Sequence, residues 1–205
     1  MMLLNVADIR LRSRVNGPGV RSVVWVQGCT IGCPGCFNPH THAHERRRLL
    51  EPVKLAHHLA EIPGTDGLAI SGGEPFEQSE ACALLAETIQ RLGRSVVVFT
   101  GHRLAFLKRC RIHGVQRLLG ATDLLVAGPY VRGLPADPTT WRGSSNQSLH
   151  YLTERFAGGR HGQPADQPAV EVIVDGRALS TSGFPDLVDS EWLEEVVSRV
   201  SQAAT

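Results

Sequence analysis

Gly28-Cys29-Thr30-Ile31-Gly32-Cys33-Pro34-Gly35-Cys36-Phe37-Asn38 follows directly on the apolar run Val23-Val24-Trp25-Val26. The run reads as a buried strand, and it delivers three cysteines onto one short loop. Three thiolates hold three corners of a metal site and cannot supply a fourth. A [4Fe–4S] cluster normally takes four thiolates, so a cluster bound here keeps one iron open to another ligand. Structural zinc is the alternative, a closed tetrahedron of Cys and His that His40, His42 or His44 would complete. The ligands on the loop suit either metal, so the rest of the chain has to decide.

Outward from the loop, the chain alternates between strand and helix. Residues 3–11 alternate loosely and read as an edge strand, and Asn16-Gly17-Pro18-Gly19 is a turn signal. Strand 22–27 delivers the cysteines, and the polar stretch from His40 to Arg48 leads to a helix opening at Glu51-Pro52. That helix is expected to present Val53, Ala56, Leu59 and Ala60 on one face. A short buried strand, 67–70, ends in Ser71-Gly72-Gly73-Glu74-Pro75. A helix follows, with Ala81, Leu84, Leu85, Thr88, Ile89 and Leu92 at helical spacing. Strand 95–99 runs to Thr100-Gly101-His102, then a helix over 103–112, then strand 124–126 ending at Gly128-Pro129. This alternation predicts a parallel α/β sheet. Residues 128–150 form a long polar loop of the kind that is usually functional or disordered. After a Gly/Pro/Gln-rich linker over 157–168, residues 169–174 alternate like a final strand. A closing helix starts at Asp189 or Ser190 and carries Trp192, Val196, Val197 and Val200 on its apolar face.

Composition narrows the class. With 205 residues, 42% hydrophobic and 20% charged, the chain is an ordinary globular protein large enough for a substantial core. A net charge of +1 gives no global field for nucleic acid or anionic lipid. No stretch approaches the roughly 18 apolar residues of a membrane span. Met1-Met2-Leu3-Leu4 runs at once into Asn5, Asp8 and Arg10, unlike a signal peptide. Five cysteines, three of them crowded, suit metal ligation in a reducing compartment better than disulfides, so the cytoplasm is expected. Cys82 and Cys110, isolated on helices, read as small core residues.

In parallel α/β folds the carboxyl ends of the strands form the binding face. The cysteine loop, Ser71 to Pro75 and Thr100-Gly101 all fall there. Adjacent Gly72 and Gly73 remove two Cβ atoms, so a ligand can approach the backbone, and Glu74 beside them can accept from an ammonium. A lone Gly-Gly-Glu is more often a plain strand–helix turn. Paired with a three-cysteine loop one unit earlier, it resembles the radical S-adenosylmethionine (radical SAM) superfamily. The ordered set then resembles the activating proteins of anaerobic (class III) ribonucleotide reductase, within the glycyl radical enzyme activases. The set comprises Asn16-Gly-Pro-Gly19, Cys33-Pro-Gly-Cys36 with Phe37-Asn38, Ser71-Gly-Gly-Glu-Pro75, Thr100-Gly101, Leu125 to Gly128, and Asp137-Pro138 leading to Trp141-Arg-Gly-Ser-Ser-Asn-Gln147. It spans residues 5–152. Ala127 departs from the family's usual acidic residue, and about fifty residues run past the family's usual end.

The resemblance implies a partial parallel (β/α) barrel of the radical SAM type over residues 1–156. A C-terminal extension over 157–205, a linker plus strand and helix, would pack on that core. It implies that Cys29, Cys33 and Cys36 ligate a [4Fe–4S] cluster, and that Gly72, Gly73 and Glu74 bind the amino end of S-adenosylmethionine. Gly35 and Phe37 would flank the adenine side. Ser144, Ser145 and Asn146 would line the site or the partner channel. The implied activity is reductive cleavage of S-adenosylmethionine to a 5′-deoxyadenosyl radical, which makes a glycyl radical on a partner such as anaerobic ribonucleotide reductase. A flavodoxin- or ferredoxin-type protein would be the reductant. Modification of a peptide or small metabolite is the second enzymatic reading. A zinc-stabilised binding module without catalysis is the reading from another class.

Overall fold

The computed structural model describes residues 2–137, 140–156, 170–175 and 178–183. Seven strands form one mixed sheet, ordered β3-β1-β2-β4-β5-β6-β7. They are β1 (Leu4–Ser13), β2 (Arg21–Val26), β3 (Arg48–Leu50), β4 (Gly67–Gly72), β5 (Ser95–Thr100), β6 (Leu124–Ala127) and β7 (Ser148–Tyr151). β2, β4, β5 and β6 are parallel, in the register Val24↔Ile70, Ile70↔Val98 and Val98↔Leu125. β1 and β3 extend the sheet antiparallel on one side and β7 does so on the other. β1 is therefore an inner strand, contrary to its reading as an edge, because Arg48–Leu50 pairs along its outer side.

The four parallel strands are buried on both faces, as their near-continuous runs of aliphatic residues require. Val24, Val26, Leu68, Ile70, Val96, Val98 and Leu125 face one way. They pack under α1 (Pro52–Ala60), α2 (Ser79–Arg91), α3 (Leu104–Arg109) and α4 (His113–Gly120). The alternate residues Val23, Trp25, Ala69, Val97 and Leu124 face the other way, against Trp141 and Phe156. Among the described residues these four α-helices thus lie on one face, and the opposite face is aromatic and partly polar.

Details depart from the sequence reading for local reasons. α1 buries Pro52, Leu55, Ala56 and Leu59, which leaves Val53 at 42% exposed. The single helix expected over 103–112 is two helices, because Cys110 and Ile112 adopt extended backbone between α3 and α4. β7 was not expected as a strand. A separate antiparallel hairpin, β8 (Val170–Asp175) and β9 (Ala178–Gly183), follows the sheet. The closing helix expected from Asp189 or Ser190 lies outside the described residues. Among the described residues, no helix is long and apolar enough to cross a membrane.

Candidate active site

A cavity of about 340 Å³ opens at the carboxyl ends of β2, β4 and β5, within the range of small-molecule sites. Cys29, Cys33 and Cys36 all line it, together with Phe37 and the Gly72-Gly73-Glu74 turn. Two loops separated by more than thirty residues in sequence are thus walls of one space.

The first half of the cysteine loop is tied on two sides. Gly28 N donates to Thr41 O at 2.8 Å and Cys29 N to His42 O at 3.0 Å. Glu77 Oε1 accepts from both Thr30 N (2.7 Å) and Thr30 Oγ1 (2.6 Å), while Glu77 Oε2 lies 2.8 Å from His44 Nε2. Burial works against the Glu77 carboxylate, but these donors outweigh it and its pKa falls. The second half turns back on itself. Cys36 N donates to Cys33 O at 3.1 Å, across a Gly35 at φ +74°, a left-handed conformation that suits glycine. Burial pushes the Cys29 and Cys36 thiols up in pKa. Backbone N–H groups of Gly32 and Ile31 oppose this at Cys29, and that of Asn38, 3.4 Å from Cys36 Sγ, opposes it at Cys36.

The turn after β4 reaches into the same structure. Gly73 N donates to Val26 O and Glu74 N to Gly28 O, both at 2.8 Å. A Cβ on Gly73 would sit 2.2 Å from Gly28 O, and one on Gly72 would sit 2.6 Å from Val26 N. The two glycines are therefore required by the neighbouring chain. The sequence reading had assigned that close approach to a ligand. Glu74 is 1% exposed and its carboxylate joins three segments. Oε1 accepts from Phe76 N (3.0 Å) and Thr100 Oγ1 (2.8 Å), and Oε2 from Gly101 N (3.0 Å). Burial nevertheless dominates and raises its pKa to about 7.

The remaining expected residues divide. Phe37 lines the cavity and lies against Tyr130, with ring centroids 4.6 Å apart. Gly35 is not on the cavity wall; its α-carbon backs onto Arg132. Ser144, Ser145 and Asn146 are not on the wall either. Ser144 Oγ accepts from Val131 N at 3.2 Å, Ser145 N donates to Leu134 O at 2.8 Å, and Asn146 Nδ2 donates to Pro129 O at 2.8 Å. They fold the long loop, and Gly143, Gln147 and Tyr130 from that loop face the cavity in their place. Gln147 spans the loop's base, accepting from Gly143 N and donating to Gly128 O. A polar residue closing the same motif was the one available signal for it. Ala127 is buried and packs with the helix-side core, off the cavity wall. Cys82 is fully buried in α2.

For a metal, Cys29, Cys33 and Cys36 line the wall with no fourth thiol, as a cluster with one open iron requires, and His40 and His42, two of the candidate zinc ligands, line the same cavity. Among the described residues, no three or more Cys, His, Asp or Glu converge as a single-ion site. His44, one candidate fourth zinc ligand, is paired with Glu77.

Comparison with known proteins agrees with this geometry. Residues 15–150 match the family described as a 4Fe-4S single cluster domain. The anaerobic ribonucleoside-triphosphate reductase-activating protein of Salmonella typhi is 33% identical over 147 residues, which is 67% of this chain and 92% of that protein. Its counterpart in Escherichia coli is 31% identical over the same shares. The counterpart in Vibrio cholerae is 34% identical, over 68% of this chain and 92% of that protein. Among solved structures, QueE from Escherichia coli aligns at 16% identity over 62% of this chain and 69% of that one. Its TM-score of 0.37 is too low to add to the description above.

Proposed function

The chain belongs to the family of anaerobic ribonucleoside-triphosphate reductase-activating proteins, and from that premise we propose how its own residues carry the family's chemistry. It is a radical SAM enzyme with a [4Fe–4S] cluster and S-adenosylmethionine as cofactors. The bound groups supply one-electron chemistry, the reductive cleavage of S-adenosylmethionine to methionine and a 5′-deoxyadenosyl radical.

In our reading Cys29, Cys33 and Cys36 would hold a cluster that keeps one iron free for S-adenosylmethionine, and the Gly72-Gly73-Glu74 turn shares their cavity. The observation that carries this reading is that these two loops, bonded to each other through Gly28 and Glu74, line a single cavity. Ligation removes a proton from each thiol, and the N–H groups aimed at Cys29 and Cys36 favour the thiolates so formed. Gly72, Gly73 and Glu74 take the methionyl amino end, where Glu74 Oε2 has a single donor among the described residues, Gly101 N. Phe37, with Tyr130 behind it, offers an aromatic surface on the adenine side. Gly35 shapes the turn that places Cys36. Gln147 and Gly143 take the wall position first assigned to Ser144, Ser145 and Asn146.

The target in this reading is a glycine Cα–H of an anaerobic ribonucleotide reductase, with a flavodoxin or ferredoxin as the electron donor, in the cytoplasm. The sheet would curl around the cavity as a partial barrel over residues 1–156, with 157–205 as an extension. The test is anaerobic reconstitution followed by dithionite and S-adenosylmethionine. About four irons per chain and formation of 5′-deoxyadenosine are expected. Alanine at Cys29, Cys33 or Cys36 should abolish both, and alanine at Cys82 or Cys110 neither. Equal iron in all five variants would overturn the ligand assignment.

A further inference from the structure

The family match ends at residue 150, but the cavity wall does not. Thr181, Ser182 and Gly183 of β9 line the same cavity as the cysteines. The hairpin that carries them is tied to the turn after β1. Arg14 N donates to Glu171 Oε1 at 2.6 Å, and Asn16 Nδ2 donates to Ser182 Oγ and to Ser13 Oγ, each at 2.8 Å. Ser182 is 6% exposed and Val170 8%, so the hairpin is closed against the body of the protein. Asp8 and Arg10, two residues apart on β1 and so on one face of the strand, continue the wall between hairpin and cysteine loop.

This strip has the character of a peptide-binding margin. Among the described residues β9 pairs only with β8, and its other edge meets no described strand. An extended polypeptide adds to such an edge by main-chain hydrogen bonds. Thr181, Ser182 and Gly183 are small enough to leave a neighbouring strand room. Resting on the radical SAM reading above, we propose that the β8–β9 hairpin is a target-recognition wall that seats an extended segment of the partner polypeptide beside the cavity. It lies outside the matched family region, so it sets target choice in this chain separately from the cofactor chemistry.

The test uses the full chain and a purified anaerobic ribonucleoside-triphosphate reductase as the probe. With the photoreactive substitution Thr181→p-benzoylphenylalanine, ultraviolet light is expected to crosslink the chain to the reductase. The same substitution at Lys54, exposed on α1, is expected not to. Glu171→Ala cuts the tie to Arg14 away from the cavity. It should raise the reductase concentration needed for half-maximal glycyl radical about fivefold, equivalent to about 1 kcal/mol of docking. It should leave 5′-deoxyadenosine formation without reductase unchanged. Equal crosslinking at the two positions overturns the proposal. So does none at 181 in a chain that still activates the reductase, or an unchanged dependence on reductase concentration. A parent chain that makes no 5′-deoxyadenosine would instead overturn the radical reading, and crosslinking would still report on the wall.

Discussion

The two ends of the parallel strands each bury an ionisable side chain, and the surroundings of the two differ. At the amino ends Arg21 is 0% exposed. Its Nη2 donates to Ser95 Oγ at 3.0 Å, its Nη1 to Leu68 O at 3.3 Å, and the guanidinium lies 5.4 Å from the centre of the Phe156 ring. Burial lowers its pKa to about 10, against the pull of Asp66 and Asp123. None of this borders the cavity. At the carboxyl ends Glu74 is equally enclosed, yet it forms part of a cavity wall and its donors come from the loops that shape that wall. One charge is closed in by strand and core, and the other stands beside open space. Parallel α/β barrels divide labour between stability at the amino ends and chemistry at the carboxyl ends in the same way.

The sharpest way to break this comparison is at Arg21. Arg21→Ala should cost about 3 kcal/mol, because it empties buried volume and removes the guanidinium donor from Ser95 Oγ and Leu68 O. The check is the denaturant midpoint. Arg21→Met should cost less, about 1 kcal/mol, since it keeps most of the volume and is relieved of desolvating a cation. Both variants should bind the full complement of iron per folded chain. A loss of iron at unchanged stability would mean that the two ends are not separate in function.

Glu74 provides the next largest effect, and its sign follows from linkage. The folded protein holds this proton up to about pH 7, while the unfolded chain releases it near its ordinary value of 4.5. Between those values the native state binds more protons, so the Glu74 contribution to stability falls as pH rises through that window. Glu74→Gln should flatten that part of the profile, measured as denaturant midpoint from pH 4.5 to 8. A variant profile parallel to the parent's would show that burial does not govern the group. The smallest effect is expected at Glu77. Glu77→Gln keeps an oxygen for the Thr30 donors and loses the charge, for about 1 kcal/mol in thermal stability, with iron content retained. Loss of iron there would make Glu77 part of the metal site and not a brace behind it.

The sequence revealed much of this division, and the limits were physical. The strands β2, β4, β5 and β6 and the helices α1 and α2 were legible because aliphatic runs and helical spacing persist over whole elements. The three strand-end loops were legible from their cysteines and glycines. The partners of those glycines were not, since the approach of Gly73 to Gly28 depends on β2 and β4 lying side by side. Thr100 and Gly101 stood out as a third strand end, but their grip on Glu74 requires the register of β4 and β5. β7 is short and mixed, and only its pairing with β6 makes it a strand. The family resemblance placed the polar residues Ser144 to Asn146 at the site. Folding the long loop uses that polarity, and Gln147 faces the cavity instead.

The cysteine loop has a consequence beyond catalysis. Cys29, Cys33 and Cys36 belong to neither of the two packed cores, and the loop is held by Thr41, His42 and Glu77 through bonds that involve no sulfur. Small zinc domains, by contrast, spend metal affinity on folding itself. The packed cores of this scaffold lie in the sheet and its helices, so in the reading proposed above a cluster would be inserted into an already shaped protein. Stripping iron from the chain with a chelator is therefore expected to leave its circular dichroism spectrum unchanged.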